Sequence, residues 1–151
     1  MCSEDSNLLD VKYRVKASFK QQGLMAHLGA HLLQVRPGYC EIEVLYRKEL
    51  LQHNGLFHGG AVAAIIDTAG GYAALSLFKP GDGVLTVEFK INCLSRAIGE
   101  KLIAKSEVIK CGRTLTVTKG EVIVINNNRE TVCALMQQTV MRITGENKLE
   151  G

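Results

Sequence analysis

Between Asn54 and Lys79 the chain carries a single Asp, Glu, Lys or Arg, and that residue is Asp67. The segment runs Gly55-Leu56-Phe57-His58-Gly59-Gly60, continues through Ile65-Ile66-Asp67-Thr68-Ala69-Gly70-Gly71-Tyr72, and reaches Phe78. A helix that is apolar nearly all round has to be buried. The rest of the chain must therefore wrap it. A buried carboxylate without a partner is costly, so Asp67 is expected to be paired, protonated or functional. It lies about two turns after His58-Gly59-Gly60, where the first N–H groups of a helix are free to bind an anion. A carboxylate and an anion hole on one element point to acyl chemistry.

A helical wheel at about 100° per residue divides this segment. Val62, Ile65, Ile66, Ala69, Ala73 and Leu77 form a stripe for packing. Ala63, Ala64, Asp67, Gly70, Gly71 and Ala74 form an opposite face almost bare of side chains. Adjacent glycines in a helix interior cost about 1 kcal/mol each against alanine. Their presence suggests that another backbone or a ligand comes close. Asp67 is expected in a narrow crevice, at a subunit interface or in a tight core.

Around this helix the sequence reads as strands. Ala30–Arg36 precedes a Pro37-Gly38 turn, and Tyr39–Tyr46 alternates, with Cys40, Ile42, Val44 and Tyr46 on one face. Glu49–Phe57 reads as a loop. Lys79-Pro80-Gly81-Asp82-Gly83 stops the helix. Val84–Cys93 follows, with Leu85, Val87, Phe89, Ile91 and Cys93 expected on the core face. Lys101–Lys110, Thr114–Ile125 and Thr131–Arg142 are joined by short turns, which implies antiparallel hairpins. Gly120 suggests a bulge. A first helix is expected over 11–28, after loose residues 1–9.

The order helix–β–β–helix–β–β–β–β, with a greasy second helix, gives an α+β class: a bent antiparallel sheet around one long helix. It resembles the hotdog fold, and in particular the small acyl-CoA thioesterases of the phenylacetic acid degradation PaaI type. The resemblance spans roughly Gly29 to Arg142. It rests on His58-Gly59-Gly60 with an acid nine positions after the histidine, Thr86-Val87-Glu88, Asn92 followed by Ser95-Arg96-Ala97, and Lys110-Cys111-Gly112-Arg113-Thr114.

That resemblance implies an acyl-CoA thioesterase of one domain, 1–151, whose site lies between subunits. Asp67 is then a general base on water or a nucleophile. Gly59 N–H stabilises the oxyanion, with Gly60 beside it and His58 either capping the helix or touching the thioester. Thr86 matches a hydroxyl that orients water, and Glu88 follows on the same strand. Gln52 stands where PaaI-type members often have asparagine, and could donate to the carbonyl or the water. Arg96 replaces a usual proline. Gly60, Glu88, Arg96, Lys110, Gly112 and Arg113 are candidates for contact with the substrate or its CoA, arginine being suited to phosphate. Two other readings stay open: a hotdog dehydratase or hydratase acting on hydroxyacyl or enoyl thioesters, and a non-catalytic acyl-CoA-binding module. Sheet edges need cover, and the family pairs dimers into tetramers, so a homo-oligomer, a dimer of dimers, is expected.

Composition removes other classes. The net charge is +3, with no basic stripe and no Trp, so nucleic-acid binding is not expected. Asp67 and the glycines interrupt the longest apolar run short of a membrane span, and the acidic N-terminus has no signal-peptide core. A cytoplasmic protein is the default. The five cysteines form no Cys-x-x-Cys pair, which argues against zinc and against a disulfide framework. Cys40, Cys93 and Cys133 are expected as reduced core residues. No metal site and no cofactor are expected, CoA being part of the substrate.

Overall fold

The computed structural model describes residues 2–145, with side chains from residue 8 onward. Two helices open it, α1 (Cys2–Phe19) and α2 (Gly23–Leu28). The hairpin β1 (Ala30–Arg36) and β2 (Tyr39–Leu45) follows, then the long helix α3 (Gly59–Leu75). Strands β3 (Gly83–Cys93), β4 (Lys101–Cys111), β5 (Leu115–Asn126) and β6 (Arg129–Ile143) complete the chain. All six strands form one antiparallel sheet in the order β1-β2-β4-β5-β6-β3, which leaves β1 and β3 as edges. The sheet wraps α3, as the hotdog arrangement requires. Ile65, Ile66, Ala69, Ala73 and Ala74 of α3 are fully buried against Ile42, Val44, Leu102, Ala104, Val122 and Val140.

Several expectations are corrected. The helix expected over 11–28 starts at Cys2, so the stretch before Val11 is helical rather than loose, and it breaks between Phe19 and Gly23. Val11, Val15 and Phe19, one turn apart, supply the buried stripe that anchors α1. The central helix ends at Leu75 rather than Phe78, with Ser76 turning its hydroxyl onto the Ala73 carbonyl at 2.6 Å. Leu77 is consequently exposed while Phe78 folds back into the core. Gly120 sits in regular register opposite Ser106 and Met136, with no bulge. Its reason is close packing: a Cβ there would meet Ile66 Cδ1 at 2.6 Å and the Lys105 carbonyl at 2.7 Å. Cys93 is exposed, whereas Cys40 and Cys133 are buried.

The largest correction concerns β3. Thr86 pairs with Val140 and Glu88 with Thr139, so Val87 is an extra residue, a β-bulge that exchanges the two faces of the strand. Before the bulge Thr86 shares the inner face with its partner Val140, which is fully buried. After it Phe89 and Ile91 take that face, Phe89 opposite the buried Gln138. Leu85 and Val87, on the outer face, are 44% and 55% exposed, and Phe89, at the sheet edge, is 42% exposed. A strict alternation through 85–93 would have turned Thr86 to solvent. The bulge turns it toward α3.

Candidate active site

Asp67 lies midway along α3, between the sheet and a groove at the side of the helix. With Ala63, Ala64 and Thr68 it is half-buried, while Gly70, Gly71 and Ala74 are buried. It opens into a groove of about 640 Å³ between α1, α3 and the start of β3, where Arg14, Ser18, Tyr72, Val84 and Thr86 also stand. Burial pushes the Tyr72 phenol upward, against the opposing hydrogen bond from Ser18.

The carboxylate is held from the sheet. Thr86 Oγ1 donates to Asp67 Oδ1 at 2.8 Å. Gln138 Nε2, from β6, donates to the same oxygen and to the Asp67 backbone carbonyl at 3.1 Å. Thr118 Oγ1, from β5, donates to Gln138 Oε1 at 2.9 Å. No side chain among the described residues bonds Asp67 Oδ2. Gln138 and Thr118 were not anticipated from sequence. Gln137-Gln138 in a strand otherwise reads as polar surface, yet Gln138 is 1% exposed. The bareness of the glycine face also has a partly internal reason. A Cβ on Gly70 would overlap Gln138 Oε1 and lie 2.8 Å from Thr118 Oγ1. Gly71 is free of such contact, its nearest neighbour being Val84 Cγ1 at 3.9 Å.

The other candidates gather at the start of α3. His58 is its N-cap, Nδ1 accepting the Gly60 N–H at 2.8 Å. Gly60 therefore offers no free donor, and capping is the contact His58 makes. The Ala61 and Val62 N–H groups turn back to the His58 carbonyl. Among the described residues the Gly59 N–H alone in this first turn has no partner, and the space a Gly59 Cβ would occupy is empty to 4 Å. The preceding loop is pinned on both sides, with Phe57 N–H on the Ala97 carbonyl at 2.9 Å and His58 N–H on that of Leu50 at 2.8 Å. Gln52, Gly59 and Arg96 come together in a second hollow of about 350 Å³, floored by Val62 and Cys133.

The two groups lie at opposite ends of the sheet. The register rows Thr116–Val140–Thr86 and Leu115–Met141–Leu85 place Lys110, Gly112 and Arg113, at the β4–β5 hairpin, at the Asp67 end. The row Val122–Ala134–Cys93 places Arg96 and Gln52 at the other. Lys110 and Arg113 are exposed, and Gly112 closes the turn by donating to the Leu115 carbonyl at 2.9 Å. Glu88 points outward from the β3 edge and accepts from Thr139 at 3.4 Å. Among the described residues no group of three metal-ligating side chains occurs, and no helix is long and apolar enough to cross a membrane.

Comparison with known proteins matches this arrangement to one family. The family model described as the thioesterase superfamily matches residues 54–131, which contain Gly59, Asp67, Thr86 and Arg96. The crystal structure of a thioesterase family protein from Silicibacter pomeroyi is 40% identical, with a TM-score of 0.88 over 89% of this chain and 99% of that one. Acyl-coenzyme A thioesterase 13 of Homo sapiens is 30% identical over 106 residues, which is 69% of this chain and 75% of the human one. The Escherichia coli PaaI protein of the phenylacetic acid degradation operon shares the fold, with a TM-score of 0.80 at 21% identity over 89% of this chain and 94% of that one. The chain belongs to the thioesterase superfamily and is a thioester hydrolase of the hotdog fold.

Proposed function

We propose that the protein hydrolyses acyl-CoA to a free carboxylic acid and CoA, at a site composed from two copies of the chain. The observation that carries this reading is the separation of the candidate residues. Asp67 and Thr86 lie at one end of β3, and Gly59, Gln52 and Arg96 at the other. Eight residues of helix put Gly59 about 12 Å from Asp67 along the axis, too far for one thioester carbonyl to meet both. Strand β3 is an edge, with unpaired backbone groups and with Leu85, Val87 and Phe89 exposed at 44%, 55% and 42%. A second β3 added antiparallel about a two-fold axis sets each strand's Thr86 end against its partner's Cys93 end. The Asp67 groove of one copy then faces the Gly59 hollow of the other. Such dimers would pair again into a tetramer.

In this arrangement the thioester carbonyl accepts the Gly59 N–H, and the Gln52 amide donates beside it. Asp67 Oδ2, the carboxylate oxygen left free, takes a proton from water. The hydroxide adds to the carbonyl carbon, and the negative charge that develops on oxygen is stabilised at the helix N-terminus. Collapse breaks the C–S bond. The CoA thiolate leaves with the proton that Asp67 had taken. Arg96 of one copy and the Lys110–Arg113 hairpin of the other flank the same cleft and supply cations for CoA phosphates. The acyl-CoA activity named for the human relative supports this choice of substrate.

The test is hydrolysis across acyl-CoAs graded in length and aromaticity, with Asp67→Asn as control. Loss of a positioned base predicts at least about 10²-fold lower turnover in a folded protein. Near-wild-type hydrolysis by the variant would overturn the assignment. Hydroxylamine trapping of an acyl group on Asp67 would make it the nucleophile instead.

A further inference from the structure

Gln138 lies beneath α3 and is 1% exposed, a place where a polar side chain is unfavourable unless its hydrogen bonds are made. They are made, and in only one sense. A carboxylate accepts and does not donate, so the amide nitrogen has to face Asp67. The amide oxygen then faces Thr118, whose hydroxyl donates to it at 2.9 Å. Turned over, the amide would set its oxygen against Asp67 Oδ1 and the Asp67 carbonyl and lose both of those bonds, so Asp67 fixes the sense of the amide while Thr118 anchors its oxygen. Its nitrogen also stands 3.3 Å from Thr86 Oγ1, so the two donors to Asp67 Oδ1 are in contact with each other.

Gly70 belongs to this arrangement. A glycine in the middle of a helix weakens it relative to alanine. Here a Cβ would occupy the place of Gln138 Oε1 and crowd Thr118 Oγ1 at 2.8 Å. The chain thus combines a helix-weakening residue with a buried amide, where alanine facing an apolar side chain would pack the same space. What the combination provides is a fixed direction for one carboxylate oxygen.

We infer that Gln138 is a positioning residue for Asp67. It is anchored by Thr118 and admitted by Gly70, and with Thr86 it holds Oδ1 against the sheet so that Oδ2 faces the groove. The inference rests on the proposed role of Asp67. A base displaced by about 1 Å can lose about 10²-fold in rate, so the effect is expected in kcat and not in binding.

The experiment measures kcat and KM for acyl-CoA hydrolysis in the full-length protein, with melting temperatures alongside. Gln138→Met keeps the length of the side chain and removes both polar atoms. It is expected to lower kcat by about 10- to 100-fold with KM within about twofold of wild type. In an Asp67→Asn background the same substitution should lower the residual rate no further. Thr118→Val, a smaller change that leaves the amide oxygen without its anchor, should lower kcat less, and only when Asp67 and Gln138 are both present. It carries the test should Gln138→Met fail to fold. Equal fractional losses with and without Asp67, or a lowered melting temperature with unchanged kcat, would overturn the positioning role. If Asp67→Asn itself keeps wild-type turnover, the role of Asp67 fails, and the Gln138 assignment fails with it. If Asp67→Asn is inactive while Gln138→Met and Thr118→Val turn over normally, only the positioning role fails.

Discussion

Thr86 reaches Asp67 at 2.8 Å because Val87 is bulged out of β3. The insertion of one residue into the strand moves the threonine from the outer face to the inner one. It then lies opposite the only charge on α3. The bulge is thus part of the site as well as of the sheet. Its position on an edge strand beside the groove fits the general placement of bulges near functional residues.

Thr86→Val removes the hydroxyl and keeps the shape. A hydrogen bond to a charged group is worth about 1.5–3 kcal/mol, and Gln138 still holds the same oxygen. Turnover should therefore fall by about tenfold, with KM nearly unchanged, and Thr86→Ser should restore most of it. Steady-state kinetics on the two variants decide the matter. Wild-type kcat in Thr86→Val would show that the hydroxyl only packs.

Gly70 and Gly71 are neighbours in sequence and should respond oppositely to alanine. At Gly70 the added methyl displaces Gln138, an overpacking expected to cost about 1–3 kcal/mol, against about 1 kcal/mol gained in helix propensity. At Gly71 the nearest atom is 3.9 Å away and the propensity gain stands alone. Thermal unfolding should place Gly70→Ala below wild type and Gly71→Ala at or above it. Equal shifts would contradict the packing described for Gly70.

Burial sets Cys40 and Cys133 apart from the exposed Cys93 and Cys111. Burial pushes the Cys133 thiol from 9.0 up to about 11, and burial also raises Cys40. At pH 8 both stay protonated and inaccessible, while Cys111 is exposed. Alkylation of the native protein at pH 8, read by peptide mass spectrometry, should mark Cys111 and leave Cys40 and Cys133 until the protein is unfolded. The unfolded chain releases the Cys133 proton near 9 and the folded one near 11. Above pH 9 the unfolded state binds fewer protons, so stability should fall as pH rises through that window. Rapid native labelling of Cys133 would contradict its burial.

Much of this was legible in the sequence, and the reasons are specific. Ala30–Arg36 was readable because Pro37-Gly38 ends it, and Cys40, Ile42 and Val44 because alternation with Glu41 and Glu43 leaves only one apolar face. Asp67 was conspicuous because nothing else on its helix is charged. Gln138 was not legible, since local pattern cannot tell a glutamine beneath a helix from one on the surface. The Val87 bulge was hidden by unbroken alternation on either side, without a glycine to mark it. The start of α1 was missed because residues 2–9 offer little apolar periodicity. For Gln138 and Val87 the missing information was a contact between elements distant in sequence.

The central claim is that Asp67 and Gly59 of one site come from different copies of the chain. Gly59→Pro removes the free N–H, and proline is tolerated in the first turn of a helix; a Cβ at this position meets nothing within 4 Å. Asp67→Asn and Gly59→Pro should each be folded and nearly inactive. Refolded together in equal amounts, half the dimers are mixed, and each mixed dimer holds one intact site. Acyl-CoA hydrolysis should then recover to about a quarter of the wild-type rate, as random two-fold assembly requires. Recovery no greater than the sum of the two parents would contradict a site shared between copies.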